Sequence, residues 1–293
     1  SLLDEITAYS ILCCGIDFGV TTKSQMKFRH VAPTGELIQI TAWVTKLTKR
    51  LAETKGMLAL KDGTVIAELS SQFYVFRQAR SAFLWNLDTI INNAIPIHLA
   101  AWQETLKHRK MAFTKENLMS LLDTRDDFIL RKVSPDNLSE KDIMSIAEEK
   151  EAILRQKITG NVQFSPGIAD LLSIIKKGNF KQALVSSSPQ KTIDSITSNI
   201  NVQDYFDCIV NSDGIDKSKP NPQIYLSAAK KLGADPKECI VIENSPLGVE
   251  AAKTAGMRCM AVADHHSQQE LNHAGRVVNS PEEIDLISLI RYT

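Results

Sequence analysis

The stretch FLWNLDTIINN, residues 83–93, begins as an apolar run typical of a buried strand and then places an amide, Asn86, two positions before a carboxylate, Asp88. More short apolar runs follow along the chain: QALVSSS, FDCIV, CIVIE and MRCMAVA. Amphipathic helical stretches separate most of these runs. Strands that alternate with helices indicate a parallel sheet with crossover helices, so the pattern predicts an α/β domain.

Polar side chains stand at the ends of three of these predicted strands. They are Asn86 and Asp88 after the first strand, Ser186 at the end of the second, and Glu243 and Asn244 at the end of CIVIE. Parallel sheets bind ligands beyond the carboxyl ends of their strands, so we expect these groups to form one compact site. Lys219, in the Pro-rich segment KSKPNPQIY, would add an ammonium and Ser186 a hydrogen-bond donor, which together suit a phosphate group.

Residues 1 to 77 show a different pattern, which predicts one helix, SLLDEITAYSIL, followed by a four-stranded antiparallel meander. The dipeptide Asp62-Gly63 is a strong hairpin signal within it. The charged segment FRQARS, residues 76–81, interrupts the strand pattern, so we place the boundary there and the second domain at residues 81–293. Because the first helix has no capping residue before it, we expect the natural chain to continue upstream.

Composition argues against several classes of partner. The chain has 293 residues, with 34 basic and 34 acidic side chains, so nothing indicates binding to nucleic acid or to an anionic membrane. No apolar run reaches the roughly 18 residues of a membrane span. The cysteines number five and lack CxxC spacing, which favours a reducing, cytoplasmic location.

The first segment resembles the hotdog-fold acyl-CoA thioesterases, in LLDE at residues 2–5, VTTKSQMKFRHVAPTGE at 20–36 and the DGTVIAELSSQF that ends at residue 73. The resemblance implies an α+β hotdog segment that acts on acyl-CoA, with Asp4 as general base or nucleophile, and an oligomer formed through this sheet. The family's oxyanion donors come from a Gly-rich turn upstream of the Asp, and this sequence lacks that turn. The alternative is that Asp4 is an exposed acid in the first turn of a helix.

The second segment resembles the haloacid dehalogenase-like superfamily, in particular its beta-phosphoglucomutase-like phosphatases and mutases. Four ordered motifs carry the resemblance over residues 81–279: LWNLDTIINNAIPIHLAAW, LVSSSPQKT, GIDKSKPNPQIYLSAAKKLG and VIENSPLGVEAAKTAGM. It implies a Rossmann-like parallel sheet with a helical insert, from about residue 96 to 165, that forms a mobile cap. His98, Trp102 and Arg125 match family positions in the cap, with His98 a candidate for packing or hinge function and Arg125 a candidate contact to the substrate phosphate.

The resemblance also assigns roles to the strand-end residues. In that family an Asp attacks phosphorus, a second Asp two residues later protonates the leaving group, and Mg2+ held by carboxylates neutralises the anion. When the family's pattern is matched to this sequence by position, its phosphate-binding residues fall on Ser186 and Lys219. The nucleophile position falls on Asn86 and the acid/base on Asp88, and the metal positions are Asn86, Asp88, Glu243 and Asn244.

Two of these positions depart from the family, because Asn86 and Asn244 stand where the pattern has Asp; Thr89 also stands where Gly is usual. An amide cannot act as the nucleophile, and the loss of two carboxylates weakens a site for Mg2+. We therefore expect a domain that binds a phosphorylated small molecule but is impaired in phosphoryl transfer. The alternatives are an active phosphatase or phosphomutase on a sugar phosphate, fused to an acyl-CoA thioesterase, and a non-catalytic binding or assembly module.

Overall fold

The computed structural model describes residues 18–31, 34–48, 51–76, 82–122, 124–134, 138–160, 162–198, 200–285 and 288–289. The chain divides into two compact units, residues 1–79 and 80–293. The predicted N-terminal helix and Asp4 lie outside the described residues. Within the described residues, the structure has no helix that is long and apolar enough to span a membrane.

The first unit contains a four-stranded antiparallel sheet. Its strands are β1 (Phe18–Phe28), β2 (Ile38–Leu47), β3 (Leu51–Leu60) and β4 (Val65–Phe76). The hairpin predicted at Asp62-Gly63 joins β3 to β4, where Gly63 has the positive φ of 90° that favours glycine. An antiparallel sheet that is buried on one side is what the alternating sequence pattern predicts.

The expectation of a simple meander is wrong for the first strand. The order in the sheet is β1-β4-β3-β2, so β1 pairs with β4 rather than with its neighbour in sequence. Residues 29–37 between β1 and β2 can extend roughly 30 Å, enough to cross the intervening strands. Cross-strand pairs match β1 to β4: the hydroxyls of Ser24 and Ser71 lie 2.8 Å apart, and Arg29 Nη2 lies 2.8 Å from Glu68 Oε2.

The second unit is built on a six-stranded sheet in which every pair of neighbours is parallel, as predicted. Its strands are β5 (Ala82–Asn86), β6 (Lys181–Val185), β7 (Cys208–Val210), β8 (Cys239–Glu243), β9 (Arg258–Val262) and β10 (Arg276–Val278), in the order β10-β9-β8-β5-β6-β7. All five residues of β5 and of β8 are buried, because both strands lie in the middle of the sheet. The sequence pattern did not predict β10, because its residues, Arg276–Val278, include only two apolar side chains.

Helices follow the strands in the expected alternation. In the parallel-sheet core they are α1 (Leu87–Ile90), α6 (Ile168–Lys177), α7 (Gln190–Thr197), α8 (Gln223–Leu232) and α9 (Pro246–Thr254), and in the insert they are α2 (Ala94–His108), α3 (Lys115–Met119), α4 (Asp126–Val133) and α5 (Glu140–Ile158). Short 3-10 helices are formed by Pro236–Glu238 and Pro281–Glu283. Local sequence sets several boundaries: α9 begins with Ser245 as its cap and Pro246 in its first turn, and α8 ends at Gly233 in the left-handed conformation.

The insert, α2 to α5, forms the cap and has a hydrophobic core of its own. Trp102, Leu106, Leu118 and Ile129 are fully buried within it. Its two connections to the sheet run side by side, since Ile91 and Phe164 form a β-bridge and the amide of residue 92 donates to the carbonyl of residue 163 over 2.9 Å. Because the cap has its own core and joins the sheet through two adjacent segments, it can move relative to the sheet as a rigid unit.

Candidate functional site

The carboxyl ends of three adjacent strands carry the candidate site. Strand β5 ends at Asn86, β8 ends at Glu243, and Ser186 directly follows β6. Because β5 lies between β8 and β6 in the sheet, the structure brings these side chains to one edge. All three are at least 95% buried, so each polar group needs a partner within the protein.

The Glu243 carboxylate is the centre of this site and is fully buried. Its Oε1 accepts from Lys219 Nζ at 2.5 Å and from the Tyr225 hydroxyl. Its Oε2 accepts from the backbone amides of Asn244 at 2.8 Å and Ser245 at 3.1 Å, and from the Ser245 hydroxyl at 3.2 Å. Burial alone would raise the pKa of Glu243, but the Lys219 ammonium and these hydrogen bonds hold it below its ordinary value.

Asn86 and Asn244 bind each other. Asn86 Nδ2 donates to Asn244 Oδ1 over 2.9 Å and to Glu243 Oε2 over 3.3 Å. The carboxylate of Glu243 fixes this orientation, because an amide oxygen turned toward it would be repelled. The two residues that replace the family's Asp are therefore joined by an amide-to-amide hydrogen bond.

The side-chain oxygens at this site do not fit Mg2+ as ligands. Mg2+ is the cation that haloacid dehalogenase-like phosphatases generally use. Mg2+ needs several oxygens, preferably charged, around it in an octahedron. Here both oxygens of Glu243 and the oxygen of Asn244 already accept hydrogen bonds, and the Asn86 nitrogen lies between them. Among the described residues, there is also no group of three or more His, Cys, Asp or Glu that could hold a metal ion.

An inner pocket lies between this edge of the sheet and the cap. Its walls are formed by Asn86, Asp88, His98, Leu122, Thr124, Asp126, Lys150, Ser186, Ser187 and Ser188. Its volume is about 10 Å3, room for roughly one water molecule. In this arrangement the cap is closed, and a phosphate group would enter only after the cap moves.

The cap side of the inner pocket carries a buried charge cluster around Lys150. The Lys150 ammonium lies 2.7 Å from Glu151 Oε1, 3.0 Å from Asp126 Oδ1 and 3.5 Å from His98 Nδ1. His98 Nε2 lies 3.8 Å from Asp88 Oδ1, so a continuous polar chain runs from the cap to Asp88.

The cluster shifts the titration of its members. Burial, and then the Lys150 ammonium, lower the pKa of His98, which favours the neutral imidazole. Burial raises the pKa of Asp126 to about 7 although Lys150 opposes this, whereas the same ammonium outweighs burial at Glu151 and lowers its pKa. The pKa of Lys150 is raised, because its two carboxylate neighbours outweigh its burial.

Hydrogen bonds join the closed cap to helix α7 and to the segment that follows β7. Thr192 in α7 donates its hydroxyl proton to Glu151 Oε2 and accepts from Arg155 Nη1 over 3.3 Å. On the other side, the amide of Arg125 donates to Ser218 Oγ over 3.0 Å, and its guanidinium donates to the Ile215 carbonyl.

Not every predicted site residue reaches the inner pocket. His98 does, but Lys219 binds Glu243 and does not line the pocket. Arg125 does not line the pocket, because its guanidinium is taken by the Ile215 carbonyl and by Asp127 at 3.0 Å. Arg125 instead lines a neighbouring, outer cavity.

Sequence reasoning missed Lys150 and Asp126. Lys150 had a signal: it falls on the stripe of Ile143, Ile146 and Leu154, where the spacing of three and four residues predicts a buried face. A lysine on such a stripe requires buried partners. Asp126 had no comparable signal, because it stands in an acidic first turn that commonly faces water.

A parallel sheet with a polar site at its carboxyl edge and a helical cap over it defines a capped α/β domain of the phosphatase type. The family model described as haloacid dehalogenase-like hydrolase matches residues 83–262, so the chain belongs to this family. The model of the thioesterase superfamily matches residues 1–67. Both resemblances inferred from the sequence are thereby confirmed.

Among curated proteins, the chain is similar to a fructose-1-phosphate phosphatase of Escherichia coli, at 25% identity over 62% of this chain and 96% of that protein. It is also similar to a phosphorylated carbohydrates phosphatase of Thermotoga maritima, at 27% identity over 69% and 95%. A chloroplastic 5-amino-6-(5-phospho-D-ribitylamino)uracil phosphatase of Arabidopsis thaliana is 31% identical over 50% of this chain, which spans 39% of that relative. The crystal structure of a beta-phosphoglucomutase from Clostridium difficile superposes with a TM-score of 0.66, at 26% identity over 72% of this chain and 96% of that one.

Proposed function

We propose that the second unit binds a phosphorylated small molecule at the carboxyl edge of its sheet and does not transfer the phosphoryl group. The observation that carries this proposal is the hydrogen bond from Asn86 Nδ2 to Asn244 Oδ1. An amide whose nitrogen is bound in this way has no charged oxygen with which to attack phosphorus. The same bond engages the oxygen of Asn244, and both Asn side chains lack the charged oxygens that Mg2+ prefers, so we expect Mg2+ binding to be severely weakened.

Ligand binding is supported by the polar lining that remains. Three serines, Ser186 to Ser188, line the inner pocket and supply hydroxyl and amide donors for a phosphate. The Lys150 ammonium also lines it, where it offsets the charges of Asp126 and Glu151. The Glu243 charge is balanced within the protein by Lys219 and does not repel the ligand from the pocket. The relatives whose names state phosphorylated sugars as substrates make a sugar phosphate the first class to test.

The test compares the wild type with Asn86→Asp/Asn244→Asp in the full chain, using p-nitrophenyl phosphate and Mg2+. The double variant restores a nucleophile and two metal-binding carboxylates, and removal of a covalent nucleophile generally costs on the order of 10⁴-fold to 10⁶-fold. We expect hydrolysis by the double variant and none by the wild type. Adding Asp88→Asn to the double variant should abolish the activity again, since the acid/base is then missing. Wild-type turnover at the rate of the double variant would refute the proposal.

Binding is tested separately by thermal unfolding with inorganic phosphate and with sugar phosphates. At a ligand concentration of 100 Kd, stabilisation is about 2.7 kcal/mol. We expect the wild type to be stabilised without turnover. If no phosphate compound raises the unfolding temperature, the second unit is not a phosphate-binding domain, and the non-catalytic assembly module becomes the better account.

For the first unit, we infer a role in binding acyl-CoA and in forming oligomers, which the thioesterase-superfamily match supports. Asp4, the candidate base, lies outside the described residues. Size-exclusion chromatography tests the oligomer, and hydrolysis of a short acyl-CoA by wild type against Asp4→Asn tests the activity. A monomer, or equal rates for both proteins, would contradict this inference.

A cytoplasmic location fits the cysteines of the second unit. Cys208, Cys239 and Cys259 are free thiols, and burial raises the pKa of Cys239 to about 11. Thiols that stay protonated and unpaired are stable in a reducing compartment. We therefore infer that the protein works in the cytoplasm, which fractionation of cells that express the full-length protein would test.

A further inference from the structure

A second, larger cavity lies beside the inner pocket. This outer cavity has a volume of about 880 Å3 and lies between the cap helices α4 and α5 and the loop that precedes α7. Asp126 and Ser187 line both the inner pocket and the outer cavity. A ligand whose phosphate enters the inner pocket once the cap has moved would therefore place its next atoms on the side of Asp126.

Only one of the two carboxyl oxygens of Asp126 has a hydrogen-bond partner among the described residues. Its Oδ1 accepts from Lys150 at 3.0 Å. Its Oδ2 is buried and has no hydrogen-bond partner within the described part of the chain. A buried polar atom without a partner costs on the order of 1–3 kcal/mol, and a ligand that supplies one recovers this free energy.

The surroundings decide which ligand group fits. The outer cavity is lined by five acidic groups, Asp126, Asp127, Glu148, Glu151 and Asp213, against three cations, Arg125, Arg155 and Lys191. Arg125 is already bound by Asp127, and Arg155 by Thr192. A second anionic group at the junction would therefore be repelled. A hydroxyl both donates and accepts, so it pairs with Asp126 whether the carboxyl is ionised or protonated, whereas an ammonium pairs well only with the ionised form.

We propose that Asp126 is a specificity-determining residue that binds a hydroxyl group on a carbon close to the phosphate ester of the ligand. The proposal rests on the proposed function of the second unit and names its ligand class: phosphomonoesters that carry a hydroxyl at the junction of the two cavities. Simple alkyl phosphates fill the same space but leave Asp126 Oδ2 without a partner.

The test uses a matched pair of probes, glycerol 3-phosphate and propyl phosphate, with inorganic phosphate as the reference. Both esters have a three-carbon chain, and only the first carries hydroxyl groups. Isothermal titration of the full-length wild type should show glycerol 3-phosphate binding roughly 10-fold to 100-fold more tightly, the effect of one hydrogen bond to a charged group.

Variants assign the preference to Asp126. Asp126→Ala should bind both esters with the affinity that the wild type has for propyl phosphate. Asp126→Asn should recover part of the preference, because the hydroxyl can accept from the new amide. Asp170→Ala is the control: it removes an exposed carboxylate of α6 that lines neither cavity, and the preference should persist.

The possible results separate the two proposals. If the wild type binds inorganic phosphate and both esters with equal affinity, the role of Asp126 is overturned while phosphate binding stands. If none of the three compounds binds, both proposals fail. The comparison of the two esters on the wild type decides the matter even if Asp126→Ala does not fold.

Discussion

Lys219→Met would leave the buried Glu243 carboxylate without its ammonium partner. The Lys219 and Glu243 side chains are 2% and 0% exposed, and their charged atoms lie 2.5 Å apart. Removal of one member of such a pair typically costs about 3–5 kcal/mol, because the remaining charge stays buried without compensation. We expect the free energy of unfolding of the second unit to fall by about this amount at pH 7.

The cost should depend on pH, with a sign that follows from the two pKa shifts. In the wild type the pKa of Glu243 is below its ordinary value, so its stabilisation is present at neutral pH and lost as pH falls through that pKa. In Lys219→Met, burial dominates and raises the pKa of Glu243, so the variant regains stability as the pH falls and Glu243 takes up a proton. The difference between the two proteins should therefore shrink between pH 7 and pH 5.

Urea denaturation followed by tryptophan fluorescence measures this difference. Of the three tryptophans, Trp85 and Trp102 are fully buried in the second unit, so a Trp43→Phe background reports on that unit alone. Lys219→Met/Glu243→Gln is the matched control. The neutral amide at position 243 can accept hydrogen bonds from the groups that donate to Glu243 Oε2 in the wild type, and it can donate one to the Tyr225 oxygen. The double variant should therefore be more stable than Lys219→Met. A cost below about 1 kcal/mol at pH 7, or a cost independent of pH, would refute the reasoning.

Two further predictions concern the packing beneath the site and the cap. In Gly248→Ala the new methyl group would overlap the Glu243 carboxylate, so urea denaturation should show a loss of about 3 kcal/mol; an unchanged midpoint would show that Glu243 moves freely. Thr192→Val removes the hydroxyl that joins α7 to the cap, so amides of α5 should exchange hydrogen faster, with a cost of about 1–3 kcal/mol. Thr197→Val, whose hydroxyl bonds only within α7, is its control, and equal exchange in both variants would contradict a tie between cap and sheet.

The elements that the sequence predicted are those that local pattern determines. Strands β5 and β8 are apolar up to their last residue because they are buried on both faces, and the Gly63 turn needs a positive φ, so the sequence alone predicted both features. The position of β1 was not visible, because its choice of β4 over β2 depends on contacts between distant residues. The convergence of Asn86 and Asn244 followed from the rule on strand ends, but their hydrogen bond required coordinates.

The cap residues show more clearly what the sequence pattern could not predict. Family position suggested Arg125 as a phosphate contact, but in the closed cap the Ile215 carbonyl and Asp127 hold its guanidinium. Lys150 and Asp126 were missed because helix periodicity identifies a buried face without saying which cavity that face adjoins. Such tertiary placements decide ligand recognition, and single-sequence patterns do not contain them.

The two amides also make electrostatic sense as a pair. Relative to the family pattern, Asn86 and Asn244 remove two negative charges, and a site without Mg2+ lacks two positive charges, so the net charge offered to a phosphate is the same in both cases. Replacing only one Asp would leave an extra buried carboxylate close to Glu243, with Lys219 already engaged. Replacing both allows the amides to bind each other and Glu243 to keep its full set of donors. Loss of the metal and retention of a charge-balanced phosphate pocket are therefore compatible in this fold.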